Sequence, residues 1–261
     1  MNDTKPRSNF IRFLGTAGAR FVMIRQLRAS GGLWISCNGT QILVDPGPGS
    51  IVRCNASRPR LDPGQLDGII LTHKHLDHAN DINVMIEAMT EGGFKKRGVV
   101  ICPRDVLEDS VILAYARLLP GKIEILRERS RYRLGNFSFV SSMKLKHPAE
   151  TYGFKFRAGS TKVALLPDTR YFKGLEAFFK ADILILSVVF FDPRPGIDHL
   201  SLPEAEAIIG NIRPRKAILT HFGMTMLKAG PHRQARKMTK RLGIEVQAAY
   251  DGMQLLLDTS V

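Results

Sequence analysis

Three histidines and one carboxylate fall within the six residues His73-Lys74-His75-Leu76-Asp77-His78. They follow the apolar run Gly68-Ile69-Ile70-Leu71, which reads as a buried strand running out into a loop. Alternation along an extended backbone turns His73 and His75 to one side, so that their imidazoles can grip a single ion. Past the bend, Asp77 and His78 can reach a second. Imidazole nitrogen and carboxylate oxygen suit zinc, manganese or iron, and an ion held by few protein ligands keeps room for water. A lone histidine at a strand end is ordinarily just a satisfied polar group. Clustered groups of this kind bring no evident structural benefit and a clear catalytic one, so the spacing points to a catalytic, two-metal site.

Elements that could complete such a site recur along the chain. Asp45 ends an apolar run in Ile42-Leu43-Val44-Asp45-Pro46-Gly47, and a lone histidine stands in Lys146-His147-Pro148. Asp168 ends Leu165-Leu166-Pro167-Asp168-Thr169, and His221 ends Ile218-Leu219-Thr220-His221-Phe222. Together with His73 to His78, these motifs resemble in content and order those of the metallo-β-lactamase superfamily of hydrolases, across nearly the whole chain. The resemblance implies that His73, His75 and His147 hold one divalent metal and that Asp77, His78 and His221 hold the other. It also implies that Asp168 bridges the two and that Asp45 orients ligands from behind. Two divalent ions, zinc or manganese with iron also suited to these donors, are the expected cofactors.

His199 precedes Ser201-Leu202-Pro203-Glu204, a capping box with an early Pro, so a helix should begin directly after it. A helix N-terminus favours anions, which suits a phosphate near His199. The context resembles phosphodiesterases of the superfamily, namely ribonuclease Z-type enzymes and the cyclic phosphodiesterase of the carbon–phosphorus lyase pathway. There, a histidine before a helix acts on the leaving group. Asp77, Asp168 and His199 are thus the expected catalytic residues. The implied reaction is hydrolysis of a small cyclic phosphodiester or nucleic-acid-derived substrate by a hydroxide bridging the metals, with His199 donating to the leaving alkoxide. Only 20 residues separate His147 from Asp168, a departure from ribonuclease Z, which normally carries a protruding transfer-RNA-binding arm in that interval. The layout is closer to the cyclic phosphodiesterase. A glyoxalase II-type thioester or ester hydrolase would use the same seven ligands without needing His199, and a metal-dependent nucleic-acid-binding protein without turnover is the non-enzymatic alternative.

At 261 residues the chain suits one large α/β domain, residues 1–261. Lys and Arg total 38 against 24 Asp and Glu, a formal charge of +14, and a basic surface raises the local concentration of phosphate-bearing ligands. Expected partners are therefore a phosphorylated small molecule or an RNA or DNA fragment, with a homodimer left open. Met1 to Phe10 is polar and basic, unlike a signal peptide. The longest apolar stretch, Ile183 to Phe191, is interrupted by Ser187 and too short to span a bilayer. A soluble cytoplasmic protein is expected. Cys37, Cys54 and Cys102 are too few and too scattered for a disulfide framework or a zinc ribbon, and read as buried free thiols.

Periodicity supplies the scaffold. Residues 9–15 read as an edge-forming strand entering a plain small-residue turn, Gly15-Thr16-Ala17-Gly18, and Leu33–Cys37 with Gln41–Val44 as a hairpin about Asn38-Gly39. Ile82, Met85, Ile86 and Met89 recur at helical spacing before Gly92-Gly93. Strands are expected over 99–102, 122–126, 132–143, 152–156, 163–166, 183–190, 216–220, 245–249 and 254–257. Helices are expected over 103–118, 169–180 and 231–242, the last with a strongly basic face. Arg127 to Arg133 interleaves Arg with Tyr and reads as a solvated hairpin. Two strand-rich halves with helices outside suggest a four-layer αββα sandwich with ligands at strand ends along one edge.

Overall fold

The structure, a computed structural model, describes residues 8–257. Apolar runs broken by Gly, Pro and Asn-Gly fold into two seven-stranded mixed sheets. The first contains β1 (Phe10–Phe13), β2 (Leu33–Cys37), β3 (Thr40–Val44), β4 (Gly68–Ile70), β5 (Val99–Cys102) and β6 (Lys122–Ile125). The second contains β7 (Arg131–Leu134), β8 (Phe137–Lys144), β9 (Tyr152–Ala158), β10 (Thr161–Leu166), β11 (Ile183–Ser187), β12 (Lys216–Thr220) and β13 (Glu245–Ala248). The last strand, β14 (Gln254–Leu256), returns to the first sheet, so that the orders are β14-β1-β2-β3-β4-β5-β6 and β13-β12-β11-β10-β9-β8-β7. Within them β3 through β6 run parallel, as do β10 through β13, so their carboxyl ends lie together at one margin of each sheet.

The inner faces meet in a core that includes Ile11, Phe13, Ile35, Ile42, Phe137, Phe139, Phe154, Phe156, Leu165 and Ile185. Helices cover the outer faces. On the first sheet these include α2 (Ser50–Ala56), α4 (Ile82–Met89) and α5 (Arg104–Glu108), while α1 (Ala19–Ile24) and α3 (Leu76–Ala79) sit near its site margin. On the second they are α6 (Leu175–Phe179), α7 (Leu202–Ile212), α8 (Met224–Ala229) and α9 (Pro231–Leu242). Helix α4 buries Ile82, Met85, Ile86 and Met89, the stripe that its periodicity predicted. This is the αββα sandwich expected from the sequence. The hairpin turn holds Asn38 at φ 51° and Gly39 at φ 76°, the doubly left-handed turn that twisted strands favour. All three cysteines are buried and free, and burial pushes the Cys54 and Cys102 thiols up to about 12. Among the described residues no helix is long and apolar enough to cross a membrane. Residues 1–7, most of the basic N-terminal stretch, lie outside the described residues.

Six local expectations are corrected. Strand β1 is internal, because β14 pairs with its other side through Phe10↔Leu256. The helix expected over 103–118 stops at Glu108: Ser110 turns left-handed, and the Asn83 side chain binds Val111 O and Leu113 N, diverting the chain. The strand expected over 132–143 is a hairpin, folded at Gly135 (φ 55°) and pinned where Asn136 N donates to Thr40 Oγ1. The helix over 169–180 shrinks to α6, since Arg170 N donates to Lys146 O and Gly174 (φ 92°) resets the chain. Strand β11 ends at Ser187, after which Val189 and Phe190 pair with Leu200 and steer the next loop back to the site margin. The Arg127–Arg133 segment, expected as a solvated hairpin, instead carries the chain from β6 of the first sheet to β7 of the second, because β7 pairs with β8 and not with β6. Its arginines are exposed, and its Tyr132 is buried against Phe139 at 5.0 Å between ring centroids.

Candidate metal centre

Every residue singled out for chemistry arrives at this margin from a strand end or the loop beyond it. Strand β3 delivers Asp45, β4 delivers the loop with His73 and His75, and α3 presents Asp77 and His78. The β8–β9 loop brings His147, β10 brings Asp168, the loop before α7 brings His199, and β12 brings His221. Their donor atoms form three overlapping groups, each with all atoms within 4.8 Å of one another: His73, His75 and His147; Asp77, His78, Asp168 and His221; and His147, Asp168 and His199.

Asp168 Oδ2 lies between the first two groups. It is 4.0 Å from His73 Nε2, 3.5 Å from His78 Nε2 and 3.3 Å from His221 Nε2. His75 Nδ1 and His147 Nε2 face each other at 3.0 Å, and His78 Nε2 and His221 Nε2 at 3.3 Å. Asp77 Oδ2 is 3.3 Å from His221 Nε2. Lone-pair atoms converging from several directions make little sense for hydrogen bonding alone. Moreover, His73 Nε2 and Asp168 Oδ1 are buried without a partner, although buried polar atoms almost always have one. A cation placed among these nitrogens and oxygens would satisfy both, so the residues present fit divalent metal.

For His73, His78 and His147 the ring nitrogens that turn away from the cluster are tied down. Asp45 Oδ2 accepts from His78 Nδ1 at 3.0 Å and from Thr72 Oγ1 at 2.7 Å, while Oδ1 accepts from Thr72 N at 2.6 Å. Thr72 Oγ1, its proton committed to Asp45, accepts from His73 Nδ1 at 3.1 Å. His147 Nδ1 donates to the backbone oxygen of Asp198 at 3.0 Å. Each contact leaves Nε2 free for the cluster. Thr72 and Asp198 were not assigned roles from sequence; the position of Thr72 directly before His73 was the available signal, whereas a backbone carbonyl leaves none.

Charge in the cluster follows from this crowding. Burial opposes protonation of His221, but the Asp168 carboxylate and hydrogen bonds to Asp168 and Asp77 push it up to about 9. His78 is raised in the same way, against burial, by Asp77, Asp168 and Asp45. Burial, helped by the neighbouring His78, holds His73 well below the ordinary imidazole range. Asp168 stays well below the usual carboxylate range despite burial, because His221 and His199 lie beside it.

Two close backbone approaches hold the ligand loops. A Cβ on Gly18 would overlap the His221 carbonyl, and Gly18 N donates to Phe222 O at 3.0 Å. The small-residue turn thus buttresses His221, itself left-handed at φ 60°. A Cβ on Gly47 would overlap the carbonyls of Ser30 and Asp77. Lys74 projects the other way, pairing with Asp105 at 3.1 Å and Asp109 at 2.5 Å and tying the histidine loop to α5.

His199 stands at the lip of the cluster. Its Nδ1 is 3.4 Å from Asp168 Oδ2, buried and without a hydrogen bond, and its ring meets that of His147 at 5.1 Å. Helix α7 follows directly, with the capping box between Ser201 and Glu204 formed.

Comparison with known proteins agrees with this geometry. A family model described as the beta-lactamase superfamily domain matches residues 40–222. An uncharacterised protein of Methanocaldococcus jannaschii is 30% identical over 257 residues, covering 95% of this chain and 94% of its own. The crystal structure of YhfI from Bacillus subtilis, a metallo-β-lactamase fold protein, is similar with a TM-score of 0.78 at 24% identity, over 95% of this chain and 99% of that one. A diphosphatase of the PhnP family is similar with a TM-score of 0.70 at 20% identity, over 95% and 96% of the two chains. The chain therefore belongs to the metallo-β-lactamase superfamily of metal-dependent hydrolases.

Proposed function

We propose that this protein is a dinuclear metal-dependent phosphodiesterase acting on a small cyclic phosphodiester or a nucleic-acid-derived substrate. His73, His75 and His147 would hold one divalent ion, Asp77, His78 and His221 the other, with Asp168 between them. Ions bound there would lower the pKa of water and neutralise charge gathering on phosphoryl oxygens. The protein's own part is positional. Asp45 and Thr72 fix which nitrogen His73 and His78 turn to the cluster, and Asp168 keeps its charge in a buried setting where it orders the groups around it. His199, with Nδ1 against Asp168, holds at Nε2 the proton that the leaving alkoxide takes.

The observation that carries this reading is the 3.4 Å approach of His199 Nδ1 to Asp168 Oδ2. A thioester hydrolase needs the metal ligands but expels a thiolate, which leaves without a proton donor. Similarity to a diphosphatase of the PhnP family supports hydrolysis at phosphorus in the same direction. A direct test compares His199→Ala with the wild type on a chromogenic phosphodiester and on a thioester. Selective loss on the phosphodiester supports the assignment. Equal rates for both proteins on the phosphodiester, with faster thioester turnover, would transfer it to the glyoxalase II type.

A further inference from the structure

A strip of basic and aromatic side chains, joined through Thr16 and Asp251, leads from the metal centre to the outer face of α9. Beside His221, Phe222 N donates to Thr16 O at 2.9 Å. Thr16 Oγ1 accepts from Arg28 Nη1 at 3.2 Å and donates to Asp251 Oδ1 at 2.7 Å. Next to Asp251, Tyr250 is 49% exposed, and its ring lies 6.4 Å from that of His232, at the start of α9. Arg28 and Arg236 are both close enough to add to the burial that lowers the His232 imidazole's proton affinity.

Helix α9 buries Gln234, Ala235 and Met238, which turns Arg236, Lys237 and Lys240 to solvent. Over its length of roughly 18 Å these three make no ion pair among the described residues. Arg241, by contrast, is neutralised by Glu206 through bonds of 2.6 and 2.8 Å. Uncompensated cations three and four residues apart repel one another, so this face gains most from an anion laid along it.

An extended chain of phosphates supplies that anion, and the exposed Tyr250 ring among the cations adds a stacking platform that an acidic protein surface would not need. We propose that this strip docks single-stranded nucleic acid, with phosphates along Arg28, Arg236, Lys237 and Lys240 and a base on Tyr250. The surface goes beyond the reaction assigned to the metal centre.

Fluorescence anisotropy with a labelled single strand of about 15 nucleotides tests it, with the matching duplex and poly-glutamate as competitors. The wild type is expected to prefer the single strand. Arg236→Glu with Lys240→Glu should weaken binding at least ~10-fold and flatten its dependence on salt. Tyr250→Ala should weaken single-strand binding about tenfold, and Tyr250→Phe should restore it. Lys96→Glu with Lys180→Glu, exposed residues off the strip, serves as the equal-charge control and should retain wild-type binding. Equal losses in the two double variants would overturn the proposal in favour of net charge alone. Tighter binding of poly-glutamate would overturn it in favour of an acidic protein, and absence of binding at physiological salt would remove it altogether. Anisotropy reads binding without turnover, so an inactive wild type that still binds through this strip would count against the phosphodiesterase reading only.

Discussion

The Asp45 carboxylate accepts a hydrogen bond from His78 at 3.0 Å, and through Thr72 the same carboxylate also governs His73. One side chain behind the cluster therefore sets the ring orientation in both proposed metal sites. Replacing Thr72 by Val keeps the shape but removes the acceptor for His73 Nδ1 and the hydroxyl bonded to Asp45. Metal affinity is expected to fall about 10–100-fold, with Thr72→Ser restoring it. Titration calorimetry with zinc reads this directly, and a Val variant that binds like the wild type would show that the Thr72 contact does not position His73.

His199→Ala separates chemistry from metal binding. The ring touches the cluster only at its lip, so bound metal measured by atomic emission should be unchanged. Turnover of a phosphodiester with a poor leaving group should drop by about 10²–10⁴, the usual worth of a positioned proton donor. Loss of metal along with activity would instead make His199 a ligand.

Metal binding should release protons. Without metal, His78 and His221 have folded-state affinities raised above their unfolded value, His221 to about 9. Protonation of these two stabilises the metal-free fold below the unfolded imidazole pKa, and the share of His221 is lost as pH rises through about 9. A metal needs the same nitrogens deprotonated. Its affinity should therefore climb with pH up to about 9, and binding heats near neutral pH should vary with the ionisation enthalpy of the buffer. Heats that are the same in every buffer would show that no proton is displaced.

Gly18 tests the buttress under His221. Alanine there must displace the His221 backbone, and strain of this kind typically costs about 1–3 kcal/mol. Thermal unfolding should move down and metal content should fall together. A variant with lowered stability but full metal content would show that the turn supports the fold and not the ligand.

The side chains that gather at this margin were legible in the sequence because strand-to-loop transitions carry them: His73, His75, Asp168 and His221 each follow an apolar run whose end can be read. The sandwich was legible for the same reason, from apolar runs such as those of β10 and β12 and the stripe in α4. What could not be read was set by contacts far apart in sequence. Nothing local shows that β14 covers β1, that Asn83 diverts the chain after Glu108, or that Arg170 N is bonded to Lys146 O. Helix α1 offers few local cues, since it opens on Gly18 without a capping side chain and exposes Phe21 and Ile24. At the site, Thr72 shows its role only once Asp45 and His73 are seen on either side of it.

The central claim is that Asp168 organises a metal-dependent phosphodiesterase centre. It is tested most directly by the hydrolysis of bis(p-nitrophenyl) phosphate, using protein reconstituted with zinc or manganese and Asp168→Ala prepared in parallel. Turnover that requires added metal and is lost in Asp168→Ala is the predicted result. Metal-loaded wild-type protein that leaves the phosphodiester intact with either ion, or Asp168→Ala that hydrolyses it at the wild-type rate, would contradict the claim.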